Sequence, residues 1–207
     1  MDINHIIDTR FSCKKYLSKK PKLSLISQML EQAIKAPTAG NLHSFRFVVV
    51  NHEDLKLKIA KSSFNQIWMA EAPYLIVVCY DSTNLKRHYN EKASQYGIQE
   101  TAIISTFLLL LAKEHGLDGC FVSAFIKEEI SRFLELPDNV IPEVIIPLGY
   151  ANEVKKKTYR PSIDLVTFYN EYGSKNFSHN LEDKVSELKN KTKKIESWKK
   201  LKQVLKL

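Results

Sequence analysis

The sequence holds only three cysteines, Cys13, Cys79 and Cys120, an odd number at wide spacing. This excludes a disulfide framework and a CxxC metal or redox centre, and leaves each thiol as a small buried or partly buried side chain. The six histidines, at positions 5, 43, 52, 88, 115 and 179, never fall into an HxxxH or HExxH spacing, so no protein-bound metal is expected. A GxGxxG fingerprint is absent, which removes the usual strand-turn-helix grip on a dinucleotide. Long hydrophobic runs are missing too: the longest, 101–112, is too short to span a bilayer and is bounded by Glu100 and Lys113. It reads as a buried core helix. The N-terminus lacks the basic-then-apolar order of a secretory signal, and a cytoplasmic protein is the expectation.

What is present is a globular composition, 44% hydrophobic and 26% charged over 207 residues. A single core of that size can bury most of the apolar surface it needs. The net charge of +8 would suggest a nucleic-acid partner if it were evenly spread. It is not: ten lysines against four acidic residues place +6 in 174–207 and leave +2 for the other 173 residues. We expect one nearly neutral domain at 1–173 and a basic extension at 174–207. From Leu181 to Leu205 apolar residues recur at three- and four-residue steps, interrupted at Thr192, as in an amphipathic helix. Its favoured place is against this subunit or a partner, with the lysines solvated; contact with an anionic membrane or with nucleic acid is the sharper alternative.

Along the body, 23–36 spaces Ile26, Leu30, Ala33 and Ile34 onto one helical face, and Pro37 stops the helix. The runs 45–50 and 72–80 are β-branched and aromatic and too short for core helices; the second reads as a strand buried on both faces. Between them, 54–61 and 64–71 read as short helices. The segment 91–115 is the longest helical candidate, apolar nearly all round and capped by Gly116. A strand at 119–125, a helix at 127–135 and a strand at 143–150 follow. Such alternation is most simply packed as a sheet covered by helices on both faces.

Two stretches carry candidate chemistry. In TRFSCKKY, after a short N-terminal helix, an extended chain would project Arg10, Ser12 and Lys14 from one face, two cations flanking a hydroxyl. That trio suits a phosphate or another anion, although a solvated basic edge would look similar. In APTAGN, at 36–41, Pro37 fixes the helix exit, Thr38 and Asn41 offer hydrogen bonds, and Ala39 and Gly40 let backbone approach a ligand. An ordinary helix-to-strand connection would share these features.

These stretches, in order, resemble the nitroreductase family. TRFSCKKY is similar to its Arg-x-Ser-x-Arg/Lys-x-Tyr/Phe motif, and APTAGNLHSFRFVVV to its Ala-Pro-Ser/Thr-x-x-Asn-x-Gln-Pro-Trp loop and following strand. YGIQETAIISTFLLLLAKEHGLDGCFVSAF resembles the central helix with its Gln-Asp/Glu pair, closing Gly-Leu and next strand, VIIPLGY the Leu-Gly-Tyr strand, and KKKTYRPSIDLVTFY the basic segment after it. The resemblance runs from about residue 5 to 172. It implies an α+β fold, a three-layer α/β/α sandwich with a mostly antiparallel central sheet, assembled as a homodimer with FMN at the interface.

The same resemblance assigns residues. Arg10, Ser12 and Lys14 match positions that hold the FMN phosphate and ribityl chain and reach the pyrimidine edge, with Phe11 contributing mainly backbone. Pro37, Thr38, Ala39 and Asn41 match the loop that contacts the flavin bound mostly by the other subunit. Asn65 matches a hydrogen-bonding position, Ser123 and Ala124 match a pair whose amides lie against N5, and Lys157 and Arg160 match the late phosphate contact, with the basic residue of 155–160 left open. His43-Ser44-Phe45 in place of Gln-Pro-Trp, and Trp68 where some relatives place lysine, are departures bordering the pocket. The implied activity is NAD(P)H-dependent reduction of nitroaromatics, quinones or similar small acceptors by a ping-pong order. The chemistry sits on the flavin and no catalytic side chain is expected. Dehalogenation or flavin breakdown on the same fold is an alternative, and so is a non-catalytic module whose basic tail binds nucleic acid or membrane.

Overall fold

A computed structural model describes residues 2–156 and 158–175. The chain divides into two compact units, Met1–Lys156 and Lys157–Leu207. In the first, four strands form one antiparallel sheet in the order β1-β2-β4-β3: β1 Phe45–Val50, β2 Tyr74–Asp81, β3 Asp118–Gly119 and β4 Val140–Gly149. Its helices are α1 Ile3–Thr9, α2 Leu23–Ala33, α3 Glu53–Ser62, α4 Ser82–Tyr89, α5 Ala93–Glu114 and α6 Lys127–Phe133.

The apolar continuity of β2 explains the layering. Its Val78 pairs with Phe47 of β1 on one side and with Val144 of β4 on the other, so both edges of the strand are used. Its side chains alternate between two cores: Tyr74, Ile76 and Val78 join Ile26 and Met29 of α2 and Ile104 and Leu108 of α5, whereas Leu75, Val77 and Cys79 join Ile59 of α3 and Ile130 of α6. Each such aliphatic side chain contributes roughly 1.5–3 kcal/mol on full burial. Two-sided burial therefore makes β2 the anchor of the α/β/α sandwich, and the expected fold class holds.

Several elements differ from the reading of the sequence. α2 ends at Ala33, so Ile34 becomes an exposed C-cap residue, and Met29 occupies the buried face in its stead. α4 is polar on most of its length and gave little periodic signal; Asp81 caps it by accepting from the Thr83 amide at 3.0 Å. In place of a helix over 64–71, Phe64 and Asn65 adopt left-handed backbone and a short 3-10 turn follows at Ile67–Glu71. The strand expected at 119–125 is reduced to β3 and an isolated pairing of Val122 with Ile145. β4 starts earlier than expected, at Val140, with Pro142 opposite Cys79 at an irregularity in the register.

α5 is central but buried on one side only. Ile104, Leu108 and Ala112 face the sheet, while Ile98, Ile103 and Phe107 are exposed on the other side. Among the described residues no helix is long and apolar enough to cross a membrane. In the second unit, α7 spans Ile163–Val166, and Lys175 Nζ stands 4.0 Å from the Phe168 ring centroid. The helical pattern read at 181–205 lies outside the described residues.

Candidate functional site

The segment after α1 is extended and docks on the margin of the sheet: Ser12 bridges Gly119 in parallel, and the Cys13 amide donates to the Gly119 carbonyl at 3.2 Å. Through Lys14 its alternation is the one the sequence implied; it breaks at the exposed Lys15, so that Tyr16 turns inward. Cys13 and Tyr16 point into the core, whereas Ser12 and Lys14 are exposed and Arg10 is half-buried. All three residues influence one thiol. Burial pushes the Cys120 thiol up, and a hydrogen bond from Ser12 and the charges of Lys14 and Arg10 oppose that rise. Asp118, whose carboxyl burial pushes up against the pull of Lys113 and Arg10, is bound by Lys113 Nζ at 3.0 and 3.2 Å.

Further contacts assemble the rest of this face. Glu153 accepts the Lys14 and Lys15 amides at 2.5 and 3.2 Å, which fixes the strip's backbone. Lys14 Nζ lies 5.3 Å from the Trp68 ring centroid, within cation–π range. Gln66 Nε2 donates to the Ala124 carbonyl at 3.3 Å and so brings the Asn65 turn beside Ser123 and Ala124, both exposed. Lys155 donates to the carbonyl of Asp8, two residues before Arg10. Lys155 thus joins this face, a placement that the basic run at 155–160 did not reveal. Lys157 lies outside the described residues, and Arg160 is exposed in the second unit with its guanidinium on the Tyr159 carbonyl.

The second stretch forms a separate structure. Ala39–Asn41 is a single 3-10 turn with Gly40 at φ 55°, followed by left-handed His43. Its hydrogen bonds run to Glu100, Arg46 and Asp81, not to the strip around Arg10. Glu100 is only 2% exposed, although its place at the margin of an apolar run marked it as a boundary charge. Thr38 Oγ1 is buried and has no hydrogen-bond partner among the described residues. The basic strip after α1 and the polar loop at 38–44 are thus separate features of the chain, with separate hydrogen-bond partners.

The nitroreductase family model matches residues 7–68 and 61–150. A protein from Methanothermobacter thermautotrophicus, named as an NADH dehydrogenase/NAD(P)H nitroreductase, is 31% identical over 157 residues, covering 74% of this chain and 79% of that one. The iodotyrosine dehalogenase 1 homolog of Caenorhabditis elegans is 27% identical over 172 residues, 70% of this chain and 53% of its own length. A structure from Exiguobacterium sibiricum in complex with FMN is similar with a TM-score of 0.75 at 19% identity, covering 82% of this chain and 98% of that one, a likeness of fold. The matched span takes in the Arg10 strip, the Thr38 loop, α5 and the strand that closes at Gly149, and with it this chain belongs to the nitroreductase family.

Proposed function

We propose that this protein is an FMN-dependent oxidoreductase that oxidises NADH or NADPH and reduces nitroaromatics, quinones or similar small acceptors, working as a homodimer. The observation that carries this reading is the extended strip bearing Arg10, Ser12 and Lys14, which docks on the sheet margin at Gly119 with Ser12 and Lys14 exposed and Arg10 half-buried. The donor set fits FMN: a guanidinium and a hydroxyl suit a phosphate and a ribityl chain, and a cation suits the electron-rich pyrimidine edge. The unpartnered hydroxyl of Thr38 fits as well, because a buried donor without a partner costs about 1–3 kcal/mol until it finds one.

Bound there, FMN would supply the two-electron chemistry, taking a hydride from the nicotinamide and passing electrons to the acceptor. The residues of this chain bind and orient. Arg10, with Lys155 on the Asp8 carbonyl two residues before it, would hold the phosphate. Lys14, braced by Glu153 and Trp68, would favour negative charge at the pyrimidine edge. Ser123 and Ala124 would present amides, and Asn65 a side-chain hydrogen bond. Pro37, Thr38, Ala39 and Asn41 would complete the pocket of the other subunit, with the exposed Ile98, Ile103 and Phe107 face of α5 as the seam. Donor and acceptor would use one open pocket in turn, which gives ping-pong kinetics.

The test is the absorbance spectrum of the purified protein, followed by FMN titration and rapid mixing with NADH and NADPH. A yellow protein, or stoichiometric FMN uptake, bleached by a nicotinamide donor is the expected result; a colourless protein that takes up no FMN at micromolar concentration overturns the reading. A second reading, reductive dehalogenation of a halogenated aromatic, is favoured by the likeness to the iodotyrosine dehalogenase 1 homolog. Halide release from a halotyrosine by the reduced protein distinguishes the two.

A further inference from the structure

Glu100 is a buried carboxylate on α5, between Gln99 and Thr101, and among the described residues no cation pairs with it. Its oxygens are met by the loop above it. Oε1 accepts the Ala39 amide at 2.9 Å; Oε2 accepts the Ser44 amide at 3.1 Å and the Ser44 hydroxyl at 2.5 Å. The two oxygens thus grip the loop at both ends. Between them Gly40, Asn41 and His43 have φ of 55°, 58° and 49°. Left-handed backbone at non-glycine residues persists only where the surroundings over-determine it. On the other side the Tyr89 hydroxyl fills the space at Gly40, where a Cβ would lie 2.5 Å from it.

A carboxylate is suited to this task because it accepts three hydrogen bonds and donates none. A carboxamide has one accepting oxygen and would turn an NH2 group toward a donor. We infer that Glu100 is the positioning residue of the flavin pocket: its two side-chain oxygens set the Thr38–Asn41 loop in the conformation that meets the flavin held by the other subunit. This rests on the flavin reading above. Glu100 itself touches no ligand, and acts through Ala39 and Ser44.

The experiment compares wild type, Glu100→Gln and Ser44→Ala as full-length protein. Amide hydrogen exchange over 38–44 is measured before flavin is added, and FMN and riboflavin affinities by fluorescence titration; circular dichroism and sedimentation report fold and assembly. In Glu100→Gln the Ala39 and Ser44 amides are expected to lose protection, and FMN and riboflavin to weaken by the same factor, about tenfold to hundredfold, because the loop addresses the ring and not the phosphate. In Ser44→Ala, which keeps both amide bonds, the loss is expected at about twofold to tenfold. Should Glu100→Gln fail to fold, the Ser44→Ala result decides alone. Unchanged protection, or lost protection with unchanged affinity for both flavins, overturns the inference while leaving the flavin reading intact. A wild-type protein that binds neither flavin overturns both.

Discussion

Gly97 of α5 faces Tyr80 of β2 so closely that a Cβ on it would lie 2.4 Å from the ring. Without a side chain the helix can settle onto the sheet at this point, and Glu100, one turn later and equally buried, is brought beneath the loop at Ala39 and Ser44. Gly97→Ala forces the ring or the helix aside and is expected to cost about 1–3 kcal/mol, as overpacking does. Urea unfolding measures it. An unchanged midpoint would mean that the Tyr80 ring yields freely.

Arg10→Ala tests the anion-binding face. Loss of a charge-assisted contact to phosphate is expected to cost about 2–3 kcal/mol, roughly 30- to 150-fold in FMN affinity. Riboflavin, which has no phosphate, should be affected far less. Equal weakening of both flavins would remove Arg10 from the phosphate.

The exposed side of α5 is expected to be covered by a second subunit. Ile103→Glu and Phe107→Glu place an unpaired charge in that seam, at several kcal/mol on burial, and should yield monomers by analytical ultracentrifugation. Because the loop and the anion-binding face would then belong to separate particles, flavin content should fall with dimer content. A variant that stays dimeric would place the interface elsewhere.

Acid should loosen the strip through Glu153. The Lys14 and Lys15 amides, with smaller help from Cys13 and the Lys15 charge, hold its carboxyl below the ordinary 4.5 against the effect of burial. A carboxyl lowered in the folded state stabilises it above about pH 4.5 and loses that contribution as pH falls through the folded value. Thermal midpoints of wild type and Glu153→Gln should therefore separate above pH 4.5, with wild type the more stable, and draw together as pH falls below it. A constant difference across that range would exclude this linkage.

Legibility followed the strength of local pattern. β2 was readable because an unbroken apolar run has few other uses, and the strip at 10–14 because its alternation survives: Cys13 is inside, Ser12 and Lys14 outside. α4 was hidden by its polarity, and the reduction of 119–125 depends on how far β4 stays alongside it, a tertiary matter. α5 looked buried all round because its apolar residues continue onto the side away from the sheet, where Ile98, Ile103 and Phe107 are exposed. Glu100 was concealed by the rule that charge marks a boundary; its partners lie 56 and 61 residues away in sequence, and only the fold unites them.

The pairing of Ser12 with Gly119 has a consequence for the chain before any ligand arrives. β3 is the outer strand on its side of the sheet, and an unpaired outer strand is a template for another chain's backbone. The strip that carries Arg10, Ser12 and Lys14 lies along that margin and turns its charges to the solvent, so the same few residues that would bind an anion also serve as a gatekeeper against edge-to-edge aggregation. Trimming the N-terminus through residue 16 would thus remove a binding face and open a sticky border in one cut, and loss of solubility would accompany loss of cofactor.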